Sequence, residues 1–182
     1  MKIACIGWGS LIWRPENLAI QKKWFEDGPM LPIEFTRISD DGRVTLIIDK
    51  DAKPVRTLWA FMTVTDIDKA IISLKEREKI QNLKKIEYVK STDTKTEEVE
   101  KIIIDWLNSK SLDYAIWTGL SFGKKTISKR PTIETILRHL EQLPYGIGQR
   151  AEEYIRNAPK QIDTEYRREI ENKLGWTCLP EK

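Results

Sequence analysis

The chain has little of what metal chemistry usually needs. Among 182 residues there are one histidine, His139, and two cysteines, Cys5 and Cys178, near opposite ends. That count and separation exclude the common zinc spacings. No pattern of acids points to a carboxylate-only metal site either. Long hydrophobic runs are also missing, and none approaches the roughly 18 apolar residues of a membrane span. The opening stretch, Met1 to Ile6, is interrupted at once by Gly-Trp-Gly, so it lacks the apolar core of a secretory signal. The expected location is therefore the cytoplasm. Disulfides are rare there, and a thiol such as Cys5 inside an apolar strand is ordinarily buried and free. Charge of one sign is lacking too: 31 basic residues face 28 acidic ones, a net charge of +3. The basic residues form only modest clusters, at Lys124-Lys125 and Lys129-Arg130. A nucleic-acid binder shows a stronger basic stripe, so neither nucleic acid nor membrane is an expected partner.

What is present reads as one folded domain over residues 1–182. An apolar content of 40% with 32% charged residues is ordinary for such a domain. Lys2 to Gly7 is a short apolar strand ending in glycine. Residues 14–32, with Pro15, Gly28, Pro29 and Pro32, read as a long surface connection. Ile33–Ser39 and Arg43–Ile48 read as two strands. Asp40-Asp41-Gly42 stands between them, a hairpin signal in which both central residues would take positive φ. Thr57–Val64 is a further strand, with Leu58, Ala60, Met62 and Val64 alternating against Trp59 and Phe61. The apolar period then changes from two to about 3.6. Thr65 is the expected N-cap of a helix running to about Lys79, with acids in its first turn. A second helix is expected over about Glu97–Leu107, with Val99, Ile102, Ile103 and Trp106 inward, and a strand at Asp113–Thr118. Three more helices follow, opening at Pro131-Thr132, at about Gly148 to Arg156, and at Glu165 to Leu174. Gly175 is placed to end the last of them. Strands first and helices later, with a helix-rich portion from about residue 120, predict an α+β or mixed-sheet domain. Residues 119–131 read as a basic, loop-like connection.

Two features carry chemistry. The first is the turn Gly7-Trp8-Gly9-Ser10-Leu11. Flanking glycines permit backbone shapes that aim several N–H groups at one point, a concavity suited to a carboxylate. Ser10 adds a hydroxyl, and Trp8 or Trp13 an apolar wall. Spacing alone leaves this open against a plain tight turn. A third glycine is missing, so this is not the dinucleotide fingerprint.

The second feature is Glu78. At about 100° per residue, Ile67, Ile71, Leu74 and Glu78 fall within roughly 60° of one another, while Glu76 lands on the opposite face. An acid on an apolar stripe has to be paired, protonated or used. Partial burial would raise its pKa towards the range useful for proton transfer. Alternatively the helix frays before residue 78, or Glu78 pairs with a hairpin arginine such as Arg37. His139 reads as a partly exposed helix residue, and no Ser or Cys has an evident base beside it. Trp117 and Trp176 read as core, with a pocket wall as the alternative.

The segment Ile6-Gly7-Trp8-Gly9-Ser10-Leu11-Ile12-Trp13-Arg14-Pro15 resembles the opening of γ-glutamylcyclotransferase-like proteins. It is closest to the ChaC-type branch, which opens Gly-Tyr-Gly-Ser-Leu-Ile-Trp followed by a basic residue and proline. Arg77-Glu78-Lys79 is similar to the Arg-Glu-Lys that carries that family's catalytic glutamate. The resemblance covers roughly the first 80 to 90 residues, and Trp8 stands where the family has tyrosine. The later portion, including Asp113 to Leu120 and Ala158 to Thr164, does not match that branch. The chain as a whole looks more like an uncharacterised bacterial group. The resemblance implies an α+β γ-glutamylcyclotransferase-like fold, a mixed sheet or small β-barrel with flanking helices and a helical C-terminal region. It implies Glu78 as the catalytic acid/base, a substrate carboxylate held by Gly7, Trp8, Gly9, Ser10 and Leu11 with Arg37 assisting, and no metal or organic cofactor. The expected activity releases 5-oxoproline from a small γ-glutamyl compound. The alternative is a protein of the same fold that binds a carboxylate metabolite without turnover.

Overall fold

The computed structural model describes residues 1–95, 97–123 and 129–180. Among them are seven strands and five α-helices, in an α+β arrangement of two open sheets. The strands are β1 (Ile3–Gly7), β2 (Met30–Ile38), β3 (Val44–Ile48), β4 (Pro54–Arg56), β5 (Leu58–Phe61), β6 (Ile86–Lys90) and β7 (Tyr114–Thr118). The helices are α1 (Ile67–Arg77), α2 (Glu98–Lys110), α3 (Ile133–Glu141), α4 (Tyr145–Asn157) and α5 (Glu165–Leu174). Neither sheet closes among the described residues, so the small barrel is corrected to open sheets. The basic pair Lys124-Lys125 lies outside the described residues, as do residues 126–128 of the same loop. No helix among the described residues is long and apolar enough to cross a membrane.

The chain divides into two compact units. The first comprises Met1–Gly7, Arg14–Leu31 and Arg56–Gly119. Its sheet has the order β5-β1-β7-β6. β1 runs parallel to β7 and antiparallel to β5, so Cys5 sits between Ala60 and Ile116. All five residues of β1 are buried, which is why it reads as a continuous apolar run. Helices α1 and α2 lie against β6 and β7. Asp66, not Thr65, caps α1, accepting from the Lys69 N–H at 3.0 Å. The acid does the capping because its carboxylate reaches the third N–H of the helix, one of the groups a first turn leaves unpaired. Phe25, Trp59, Phe61 and Trp106 form an aromatic cluster, and Asp27 ties it together by accepting the Trp59 indole N–H at 2.9 Å.

The second unit comprises Trp8–Trp13, Pro32–Val55 and Leu120–Lys182. It holds most of the sheet β3-β2-β4, with α4 against β3 and α3 against α4 and α5. The hairpin β2–β3 differs from the expected type. Gly42 has φ of 87°, but Asp41 is not left-handed. Ser39 N–H bonds Arg43 O at 2.9 Å and Gly42 N–H bonds Ser39 O at 2.9 Å. This is a three-residue loop, which needs a left-handed residue only at its last position. His139 Nε2 lies 2.7 Å from the Gly42 carbonyl, which ties α3 to that loop. The expected strand Thr57–Val64 is confined to Leu58–Phe61, and the short β4 before it joins the other sheet.

Candidate functional site

Glu78 belongs to the first unit. It is the C-cap of α1, with φ of −81° and ψ of −4°. Helical phase therefore persists to Glu78, although the helix ends at Arg77 and not at Lys79. Lys79 takes the left-handed position, φ 53°. Its N–H bonds Glu76 O at 3.1 Å, and the Ile80 N–H bonds Lys75 O at 3.0 Å. That pair of bonds is a Schellman ending, in which left-handed backbone at one residue satisfies carbonyls the last turn would orphan.

The stripe that α1 buries is Ala70, Leu74 and Arg77, while Ile67 and Ile71 are half-buried and Glu76 is exposed. Arg77 donates from Nη1 to Glu78 Oε1 at 2.5 Å and from Nε to the Arg14 carbonyl at 3.1 Å. The side chains are 7% and 18% exposed respectively. A guanidinium fixed on a backbone carbonyl thus holds the carboxylate in one place. The charge is felt inside the sheet. Burial, then Glu78, push the Cys5 thiol up to about 12, against the opposing influence of Arg77.

Gly7 ends β1 in the first unit, while Trp8, Gly9, Ser10, Leu11 and Arg37 belong to the second. The Gly9 carbonyl accepts from the Ile12 N–H at 3.0 Å and closes a turn. Trp8 and Leu11 are buried. The Trp8 indole N–H points to the Leu46 carbonyl at 3.3 Å, so this ring anchors the turn to β3.

The reason for glycine at position 9 differs from the expected one. Neither Gly7 nor Gly9 is left-handed. A Cβ on Gly9 would instead lie 2.4 Å from the Tyr154 hydroxyl oxygen. Glycine is there for close approach. Tyr154, from α4, is buried and packs edge-on against Trp13 at 5.3 Å and Phe35 at 6.4 Å between ring centroids.

Arg37 stands near the end of β2. Its Nε and Nη1 are buried without a hydrogen-bond partner among the described residues, and so is the hydroxyl of Thr36. Elsewhere the same unit satisfies its interior charges. Glu34 accepts from the N–H groups of Phe35 at 2.8 Å and Tyr166 at 3.2 Å, and from the Thr164 hydroxyl. Burial nonetheless outweighs these bonds and raises its pKa. Asp49 accepts from Arg130 Nε at 2.7 Å, and Arg130 Nη1 donates to the Tyr166 hydroxyl at 3.0 Å.

Sequence reasoning passed over Arg77 and Tyr154. Arg77 was available from its spacing, since residues 70, 74 and 77 share a helical face. Tyr154 continues the buried positions Ala151 and Ile155, but nothing local joins it to Gly9. Trp117 is wholly buried, with its indole N–H on Glu87 at 2.8 Å, whereas Trp176 is half-buried. Among the described residues, no group of three or more His, Cys, Asp or Glu side chains is arranged to hold a metal ion. Comparison with protein-family models, curated proteins and solved structures finds no match.

Proposed function

We propose that the chain is a γ-glutamylcyclotransferase-like enzyme that releases 5-oxoproline from a small γ-glutamyl compound, with the α+β fold of that family. Glu78 is the acid/base. The turn Gly7 to Leu11, with Arg37, holds the α-carboxylate of the γ-glutamyl group. Glu78 takes a proton from the substrate's α-amine. The amine nitrogen then bonds to the γ-carbonyl carbon, the original amide C–N bond breaks, and the proton passes to the departing amine. The products are 5-oxoproline and a free amine, and the reaction calls for no cofactor. A cytoplasmic location belongs to the same reading.

The observation that carries this is the state of Glu78. Its carboxylate is partly exposed and held by an arginine that is itself bound to a main-chain carbonyl. A general base needs that combination of reach and orientation. Proximity adds to it, because the attacking amine and the carbonyl belong to one molecule. The same ion pair favours a second reading, binding of a carboxylate metabolite without turnover, because it engages one oxygen of Glu78. The two separate on incubation with a panel of γ-glutamyl compounds and assay of 5-oxoproline. The enzyme reading expects product that Glu78→Gln abolishes, and the binding reading expects ligand uptake without product.

A further inference from the structure

Strand β6 is an edge of its sheet, and its pairing shows which of its main-chain groups are left over. The Gly119 N–H donates to the Lys85 carbonyl at 2.8 Å, and the Ser91 N–H to the Asp113 carbonyl at 2.9 Å. Between them the antiparallel register runs from Ile86 opposite Thr118 to Lys90 opposite Tyr114. Hydrogen-bonded pairs alternate along such a ladder, so Lys85, Glu87, Val89 and Ser91 turn their N–H and C=O groups to β7. Ile86, Tyr88 and Lys90 turn theirs to the open edge. Both ends of that edge are closed locally. The Ile86 N–H donates to the Leu83 carbonyl. The Lys90 N–H donates to Asp93 Oδ2 at 3.0 Å, and the Lys90 carbonyl accepts from the Asp93 N–H at 2.9 Å. Among the described residues, the Ile86 carbonyl and both main-chain groups of Tyr88 remain without a partner.

A cavity of about 490 Å³ takes in Glu87, Tyr88 and Lys90 of β6 together with Asp93, Lys95 and Glu100 from the segment that follows. Tyr88 and Lys90 project to one face of the sheet and Glu87 to the other, so a space that meets all three lies along the edge. Its size is that of a ligand cleft, about 300–1,000 Å³. Three carboxylates face two amines there. Lys95 stands 3.8 Å from Glu100, and Lys90 lies over the Tyr114 ring at 6.0 Å. Among the described residues, Glu87 and Asp93 are engaged only by neutral donors, the Trp117 indole at 2.8 Å and the Lys90 main-chain N–H. Gly119 makes room for Glu87, since a Cβ there would fall on its carboxylate. Edge strands are commonly guarded against pairing by a charge or a proline. The centre of this one is Tyr88, 50% exposed.

We infer that the β6 edge docks an extended peptide segment of a partner protein, one that carries a basic side chain and adds to the sheet as a further antiparallel strand. The peptide residue opposite Tyr88 exchanges two hydrogen bonds with it, and the N–H two residues later donates to the Ile86 carbonyl. The side chain between those two residues lies opposite Glu87, within reach across a strand pair. A lysine or arginine there answers the surplus negative charge. Trp117 and Gly119 set the place of the Glu87 carboxylate before a ligand arrives, so it gives up little freedom on binding. A second copy of this chain fits less well. Two β6 strands paired about Tyr88 would set Lys90 of one against Ile86 of the other, and the Lys90 N–H and C=O are already engaged by Asp93. Three main-chain bonds and one exposed ion pair make a weak, transient contact. The inference goes beyond the proposed γ-glutamyl reaction and uses none of its residues.

The test uses the full chain, isotope-labelled for amide NMR, and the capped peptide Ser-Val-Thr-Lys-Val-Ser, whose threonine is to lie opposite Tyr88. Two control peptides carry glutamate in place of the lysine, or a methyl group on the threonine nitrogen. The lysine peptide is expected to shift the amides of Ile86 to Lys90, that of Tyr88 most, and to saturate them. The glutamate peptide should bind about 3- to 10-fold more weakly, the value of an exposed ion pair turned into a repulsion. The N-methyl peptide should bind about 10-fold more weakly or worse, because it loses a main-chain bond and clashes with the edge. In Glu87→Gln the difference between the lysine and glutamate peptides should shrink to about 2-fold or less, while the N-methyl peptide stays the weakest. Tyr88→Pro removes the outward N–H, which an edge strand tolerates, and should abolish binding. The N-methyl peptide makes the same cut from the ligand's side and needs no variant to fold. The inference is overturned if the lysine peptide leaves the β6 amides unshifted at millimolar concentration, or if either control peptide binds as tightly. A wild type that sediments as a dimer without peptide, and as a monomer with Tyr88→Pro, would give the edge to a second copy and overturn it as well.

Discussion

Gly9→Ala tests the close approach that shapes the turn. The added methyl would lie 2.4 Å from the Tyr154 hydroxyl oxygen and 3.4 Å from the ring carbon that bears it. An unstrained carbon contact is about 3.5 Å or more, so the oxygen has to yield by roughly 1 Å. It is not free to do so, because the ring is held against Trp13 and Phe35. Forced overpacking of this kind costs about 1–3 kcal/mol. Gly9 is not left-handed, so alanine also restricts the unfolded chain and returns about 0.4–1 kcal/mol. The expected net loss is about 1–2 kcal/mol. In a Tyr154→Phe background the offending oxygen is gone and the ring carbon stands at ordinary contact, 3.4 Å, so the same change should be close to neutral. Denaturant unfolding of the four proteins gives the coupling, expected at about 1–3 kcal/mol. Additivity within about 0.5 kcal/mol, or a single Gly9→Ala variant as stable as wild type, would refute the steric account.

Two further outcomes follow from titratable groups. Cys5, buried and pushed up to about 12, should resist thiol reagents in the native protein at neutral pH, whereas Cys178 reacts. Titration with a disulfide reagent should release one equivalent in buffer and two in denaturant, and two fast equivalents in buffer would contradict the placement of Cys5. Glu34 has a raised pKa, so in the window between its ordinary 4.5 and the raised value the native state binds more protons than the unfolded state. Its contribution to stability therefore falls as pH rises through that window and returns on acidification. The difference in denaturant midpoint between wild type and Glu34→Gln should show that slope, and a flat or reversed difference would contradict it.

Local signals carried much of the fold. Helix α5 is legible from Glu165 to Leu174 because its ends are chemical: Thr164 accepts from the Arg167 N–H, and Gly175 is left-handed at φ 71°. Helix α3 opens at Thr132 for the same reason. Strand β6 was passed over because it lies at a sheet edge, where Ile-Glu-Tyr-Val-Lys buries only Ile86 and Val89 and shows no alternation. The hairpin loop was legible in place but not in type, since Asp41-Gly42 looks the same in two- and three-residue loops. The helical phase of Glu78 could be read because periodicity is local. The Tyr154–Gly9 approach depends on residues far apart in sequence, so no window along the chain contains it.

The most direct test of the central claim is the rate of 5-oxoproline formation from γ-glutamyl compounds, measured for wild type and Glu78→Gln. The account predicts product from at least one compound. It also predicts a fall in kcat/KM of about 10² to 10⁴ in the variant, the usual value of a positioned acid/base. No 5-oxoproline from any compound, or an equal rate in Glu78→Gln, would contradict it.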